Sequence, residues 1–157
     1  MMREFKLFIL GIFCFIISLT VIGCGNETAI TSKEFQTKME AKGFTVINAK
    51  SQFSKYSYVK QAYIAINKKA NYQIEFYQLS TNDYAKSFFN NNKQIFKKSK
   101  SSGSAEMSIS TGYNDKYTLI TGGKYKFISR IDNTVIYLNV KESNKTAVKK
   151  IIDELGY

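Results

Sequence analysis

Two dipeptides, Gly122-Gly123 and Asp132-Asn133, separate three runs of alternating apolar and polar residues, "KYTLIT", "KYKFISRI" and "TVIYLNV". Such pairs are favoured in the two-residue loops of antiparallel hairpins, because glycine, aspartate and asparagine accept the positive φ angles these turns require. A two-residue loop also dictates the pairing, setting Thr121 opposite Lys124 and Ile131 opposite Thr134. A slip of one position would turn every apolar side chain to the wrong face. The chain is thereby committed to an antiparallel sheet with two distinct faces. One gathers Ile120, Tyr125, Phe127, Ile131, Ile136, Leu138 and Val140 and is the expected core face. The other gathers Tyr117, Leu119, Ile128, Val135 and Tyr137, interleaved with Lys126, Arg130 and Asn139. This second face is amphiphilic, so it is expected to be half covered or used. Tyr117, Lys126, Arg130 and Tyr137 are its candidate binding residues.

The remaining elements follow from caps and periodicity. Thr31 and Glu34 form a T-x-x-E capping box flanked by Ile30 and Phe35, and Gly43 supplies the left-handed stop, predicting a helix from Ser32 to about Lys42. "FTVIN" reads as a strand, "QFSKYSYVK" as an irregular link or a weak strand, and "AYIAIN" with "YQIEFYQL" as a hairpin about "KKAN". Ser80 and Asp83 read as a capping pair for a second helix from about Thr81 to Lys97, whose apolar residues recur at helical spacing. "AEMSIS" is a further strand, and Asn114-Asp115 after it reads as a turn. A third helix starts at Ser143 or Asn144, repeats Val148, Ile151, Ile152 and Leu155, and ends at Gly156. The expectation is an α+β fold, an antiparallel sheet of about six or seven strands with three helices packed mainly on one face. Residues 31–157 form one domain.

The start of the chain is of another kind. Arg3 and Lys6 precede an apolar run from Leu7 to Ile22. At ~1.5 Å per residue the run reaches about 24 Å, short of the ~30 Å hydrocarbon layer. A charged start, a short apolar run and a small residue describe a secretory signal. The run Val21-Ile22-Gly23-Cys24 then resembles the lipobox of bacterial lipoproteins. The resemblance implies cleavage between Gly23 and Cys24, diacylglyceryl modification of the Cys24 sulfur, and a chain held at the extracytoplasmic face of the cell membrane. Residues 1–23 are then a signal peptide and 24–30 a lipidated N-terminus and short tether. Cys14 is lost with the signal, leaving no thiol in the mature domain for redox chemistry.

The inventory for catalysis is thin. The chain has no histidine, so Ser-His, Cys-His and His-zinc sites are excluded. Ser57-Tyr58-Val59-Lys60 matches S-x-x-K, but the companion elements of that acylation site are missing. Thr121-Gly122-Gly123-Lys124 lacks phosphate-loop spacing and is explained by its hairpin turn. No catalytic residue, metal site or cofactor is expected. Net charge is +11, carried by lysine at all but two of 23 basic positions, the exceptions being Arg3 and Arg130. Nucleic-acid binders favour arginine for forked contacts, so nucleic acid is not expected as a partner. Tyr56, Tyr58, Tyr63, Tyr77, Tyr117 and Tyr137 beside these lysines suit anionic lipid headgroups, an anionic cell-wall polymer or a protein of the envelope. The expected function is a non-catalytic binding or accessory module. The alternatives are a structural subunit of a membrane complex or a metal-free surface hydrolase built on Ser57 and Lys60.

Overall fold

A computed structural model describes residues 28–157. Gly23, Cys24 and the signal segment lie outside the described residues. The chain runs through α1 (Ser32–Ala41), β1 (Thr45–Asn48), a 3-10 turn (Lys50–Phe53), β2 (Val59–Asn67), β3 (Tyr72–Leu79) and α2 (Asn82–Lys98). It continues through β4 (Ala105–Ser110), β5 (Asn114–Thr121), β6 (Lys124–Ile131), β7 (Thr134–Lys141), a second 3-10 turn (Glu142–Asn144) and α3 (Lys145–Leu155).

The seven strands form one antiparallel sheet in the order β1-β2-β3-β7-β6-β5-β4. The hairpin register is the one the turns require: Thr121 pairs with Lys124 and Ile131 with Thr134. Gly122 and Gly123 both take positive φ, 53° and 68°, so an ordinary side chain at either would strain the turn. Asp132 bears φ 50° in the second turn, a conformation its short polar side chain tolerates. The α+β class and the seven strands agree with the sequence reading.

The strand order decides where the helices lie. β3 pairs with β7, while the next strand in the chain, β4, sits at the far edge. The connection between them must therefore pass over β7, β6 and β5, and α2 is that crossing. It contributes Ala85, Phe89 and Phe96 to a core with Leu79, Tyr117, Leu119, Ile128 and Val135. α1 and α3 pack on the opposite face. Phe35 and Met39 of α1 join Val148, Ile152 and Leu155 of α3 over Ile74, Phe76, Phe127, Ile136 and Leu138. Phe35 stacks on Phe76 with ring centroids 5.0 Å apart. Lys42 at the end of α1 forms an ion pair with Glu154 of α3, bridging the two helices. Two of the three helices thus share one face, and the third, α2, closes the other. Among the described residues both cores are built from residues 30–157, as expected of a segment with its own folding unit.

Capping follows the sequence at α1, where Thr31 Oγ1 accepts from the Glu34 amide at 3.2 Å and Glu34 accepts from the Thr31 amide at 2.7 Å. At α2 the cap is Thr81 rather than Ser80, its Oγ1 accepting from the Tyr84 amide at 3.2 Å. α3 begins at Asn144 without a side-chain cap, led in by the 3-10 turn, and ends at Gly156 with φ 85°. Asp115 is not in a turn. It is the second residue of β5, and it is buried.

Candidate functional site

The register brings Tyr117, Lys126, Arg130 and Tyr137 to one face of the sheet, as the sequence implies, but α2 lies on them. Tyr117 is 0% exposed and donates from its hydroxyl to Glu106 at 2.8 Å. Burial, reinforced by the hydrogen bond to Glu106, pushes the Tyr117 phenol above its usual range. Tyr137 is half-buried with its ring 5.1 Å from that of Phe96. Lys126 donates to Ser99 Oγ and lies 5.6 Å from the Phe96 ring centroid. These are packing roles, and the four residues do not form an open binding face.

Arg130 has the most demanding environment of the four. It is 1% exposed, and its Nε donates to Asp115 Oδ2 at 2.7 Å. Nη1 donates to the Asp132 carbonyl at 3.1 Å and Nη2 to the Gly112 carbonyl at 2.8 Å. Ser110 Oγ donates to the other oxygen of Asp115. Ser110, Asp115 and Arg130 are cross-strand neighbours on β4, β5 and β6, so this ladder pins one end of the sheet and the loop at Gly112. An ion pair this buried is held together because either partner alone would be an uncompensated charge. Its function is structural.

The tyrosines also part company. Tyr77 and Tyr117 are buried, and burial raises the Tyr77 phenol as well. Tyr56 and Tyr58 instead come together with Tyr84 of α2 on the surface. The Tyr58 and Tyr84 rings stack in parallel 4.9 Å apart, and Tyr56 lies 5.7 Å from Tyr58. Ser57 and Lys60 are both exposed, and no hydrogen bond joins them among the described residues. Among those residues there is also no cluster of three or more potential metal ligands.

A partly apolar groove lies where no site was expected. On the face shared by α1 and α3, neither helix reaches the far strands. β4 and β5 therefore extend beyond the helices and leave a groove of about 390 Å³ against the flank of α3. Its floor is Met107 and Ile109 of β4, Ile120 of β5, Tyr125 and Phe127 of β6, and Ile152 of α3. Met107 is 49% exposed and Ile109 47%, although both point to the side of the sheet that elsewhere forms a core. Lys116, Lys145 and Lys149 stand around this floor. The Lys145 ammonium is 6.0 Å from the Tyr125 ring centroid. Burial, with the nearby Asp153 carboxylate second, raises the Tyr125 phenol. The signal for this groove was present in "AEMSIS", whose two large apolar residues alternate with Glu106 and Ser108. What was missing was the knowledge that no helix would cover them.

No protein-family model, curated protein or solved structure matches the chain.

Proposed function

We propose that this chain is a bacterial lipoprotein, anchored through Cys24 to the extracytoplasmic face of the cell membrane, whose α+β domain acts as a non-catalytic binding module there. The observation that carries the reading is the order of residues at the N-terminus, a charged start, the apolar run Leu7 to Ile22, and Gly23-Cys24 at its end. Two acyl chains at ~0.8 kcal/mol per buried methylene give attachment on the order of 20 kcal/mol, which is effectively permanent. No helix among the described residues is long and apolar enough to cross a membrane. A basic domain held near an anionic surface gains ~1 kcal/mol for each lysine that approaches it, before screening by salt. The groove beside α3 supplies the module with a concave, largely apolar surface, the usual form of a small-ligand site.

The test is metabolic labelling of the full chain with an alkyne-bearing fatty acid. The wild-type protein should be labelled and membrane-bound, and Cys24→Ser should abolish the label and leave the chain uncleaved. A Cys24→Ser protein that still carries label in the membrane fraction would overturn the assignment.

A further inference from the structure

We propose that the groove between α3 and the β4–β5 hairpin binds a long-chain fatty acid, its alkyl chain on the apolar floor and its carboxylate at Lys116 and Lys145. The inference deepens the binding-module reading and rests on it for the presence of a ligand, although not for the anchor.

The floor argues for an alkyl chain. Six apolar side chains from three strands and a helix are contiguous there, and two of them, Met107 and Ile109, are about half exposed. A floor of aliphatic and aromatic groups with a flexible thioether suits a chain that has no fixed shape of its own. At about 390 Å³ the groove lies near the lower end of small-molecule sites, which favours one chain over the two of a phospholipid.

The charges around the floor argue for an anionic head. Asp153 is engaged by Lys149 at 3.5 Å. Glu106 also borders the groove, but its carboxylate is turned to the other face of the sheet, accepting from the Tyr117 hydroxyl and paired with Lys100 at 3.2 Å. Hydrogen bonding from Tyr117, then Lys100, holds that carboxyl below its usual range, so it stays charged and occupied. The two acids near the groove are therefore accounted for. Lys116 and Lys145 have no carboxylate partner among the described residues, and Lys145 has only the Tyr125 ring. The unmet charge of the groove is positive.

The same charges argue against a second copy as occupant. A two-fold interface would set this patch against itself and bring the lysine rims together, a like-charge contact without compensation. A peptide adding to the free edge of β4 would use the backbone of Ala105–Ser110 and leave the floor beside α3 unfilled.

The experiment follows the fluorescence of cis-parinaric acid on titration with residues 28–157, the segment that holds both cores. Saturable enhancement is expected, reversed by palmitate and not by butyrate, and weakening as salt is raised. Met107→Glu with Ile109→Glu should weaken binding at least tenfold. Lys116→Gln with Lys145→Gln should weaken palmitate competition about tenfold while leaving hexadecanol unchanged, since only the acid has a charge to lose. Thermal unfolding confirms that each variant is folded, and single replacements stand in for any pair that is not. Absence of saturable enhancement overturns the proposal. So does unchanged binding by the Met107/Ile109 variant, a dimer on gel filtration that the same variant dissolves, or binding to phosphatidylglycerol vesicles without binding to free fatty acid. Because the segment lacks Cys24, failure here leaves the anchor assignment standing, and failure of Cys24 labelling leaves the groove standing.

Discussion

Along β5 the side chains facing α2 are buried and those facing α3 are half-buried, in strict alternation from Asn114 to Thr121. One strand thus reports on two surfaces with the same backbone, the same register and different cover. The difference comes from the connections. α2 has 17 residues, about 25 Å of helix at ~1.5 Å each, enough to lie across three or four strands spaced ~4.8 Å apart. It must make that crossing, because β3 is central and β4 is at the edge. α1 and α3 each answer to strands at the other end or the middle of the sheet, and nothing in the chain path carries them over β4. A sheet face is sealed when a connection is obliged to traverse it. Otherwise its outer strands remain bare, whatever their hydrophobic pattern.

The sharpest way to test this contrast is to attack the sealed face at its pinned end. Asp115→Ala should cost about 3–5 kcal/mol in urea unfolding, because Arg130 would be left buried without its counter-charge. A loss below 1 kcal/mol would mean water reaches Arg130 and the face is not sealed there. Phe96→Ala, beneath the end of α2, should cost about 3 kcal/mol or somewhat more, as expected for a large buried aromatic. A smaller loss would show that α2 is loosely laid.

Alkaline pH offers a third comparison. Burial raises the phenols of Tyr77 and Tyr117 on the α2 face, and of Tyr157 on the other, above their ordinary value of 10.0. The folded state then holds protons that the unfolded state releases. This stability is complete below pH 10 and is lost as pH rises beyond it, by about 1.4 kcal/mol per pH unit for each tyrosine still protonated. Replacing Tyr77 and Tyr117 together with Phe should flatten that slope more than Tyr157→Phe does, measured by unfolding midpoints between pH 9 and 11. An equal or opposite ranking would place the tighter core on the α3 face. The smallest effect belongs to the open groove, where Met107→Glu should change stability by no more than about 0.5 kcal/mol. A loss of 2 kcal/mol would show that Met107 is part of a core after all.

How much of this was legible in the sequence depended on range. The turns at Gly122-Gly123 and Asp132-Asn133 act locally, so the register of three strands and the composition of both faces followed from them. The pairing of β3 with β7 joins residues far apart in the chain and has no local signal. Without it the path of α2 could not be drawn, and Tyr117, Lys126, Arg130 and Tyr137 looked available for binding. Asp115 is a different case. Beside Asn114 it has the composition of a turn, yet counting back along the hairpin from Thr121 and Lys124 places it directly opposite Arg130. The long-range information was in hand there and was outweighed by a local preference. The groove beside α3 was half legible: "AEMSIS" shows its apolar residues, but the shortfall of a helix that leaves them bare is encoded by no residue.

Ala29 and Ile30 pack against the core shared by α1 and α3. If Cys24 is acylated as proposed, only residues 25–28 stand between it and Ala29, a reach of at most ~14 Å when extended, comparable to the ~14 Å radius of gyration of a domain this size. Under that proposal the domain would be held within about its own radius of the bilayer. The side from which Ala29 emerges would then govern which part of the domain meets the bilayer and which part looks away, as a hinge governs the swing of a door.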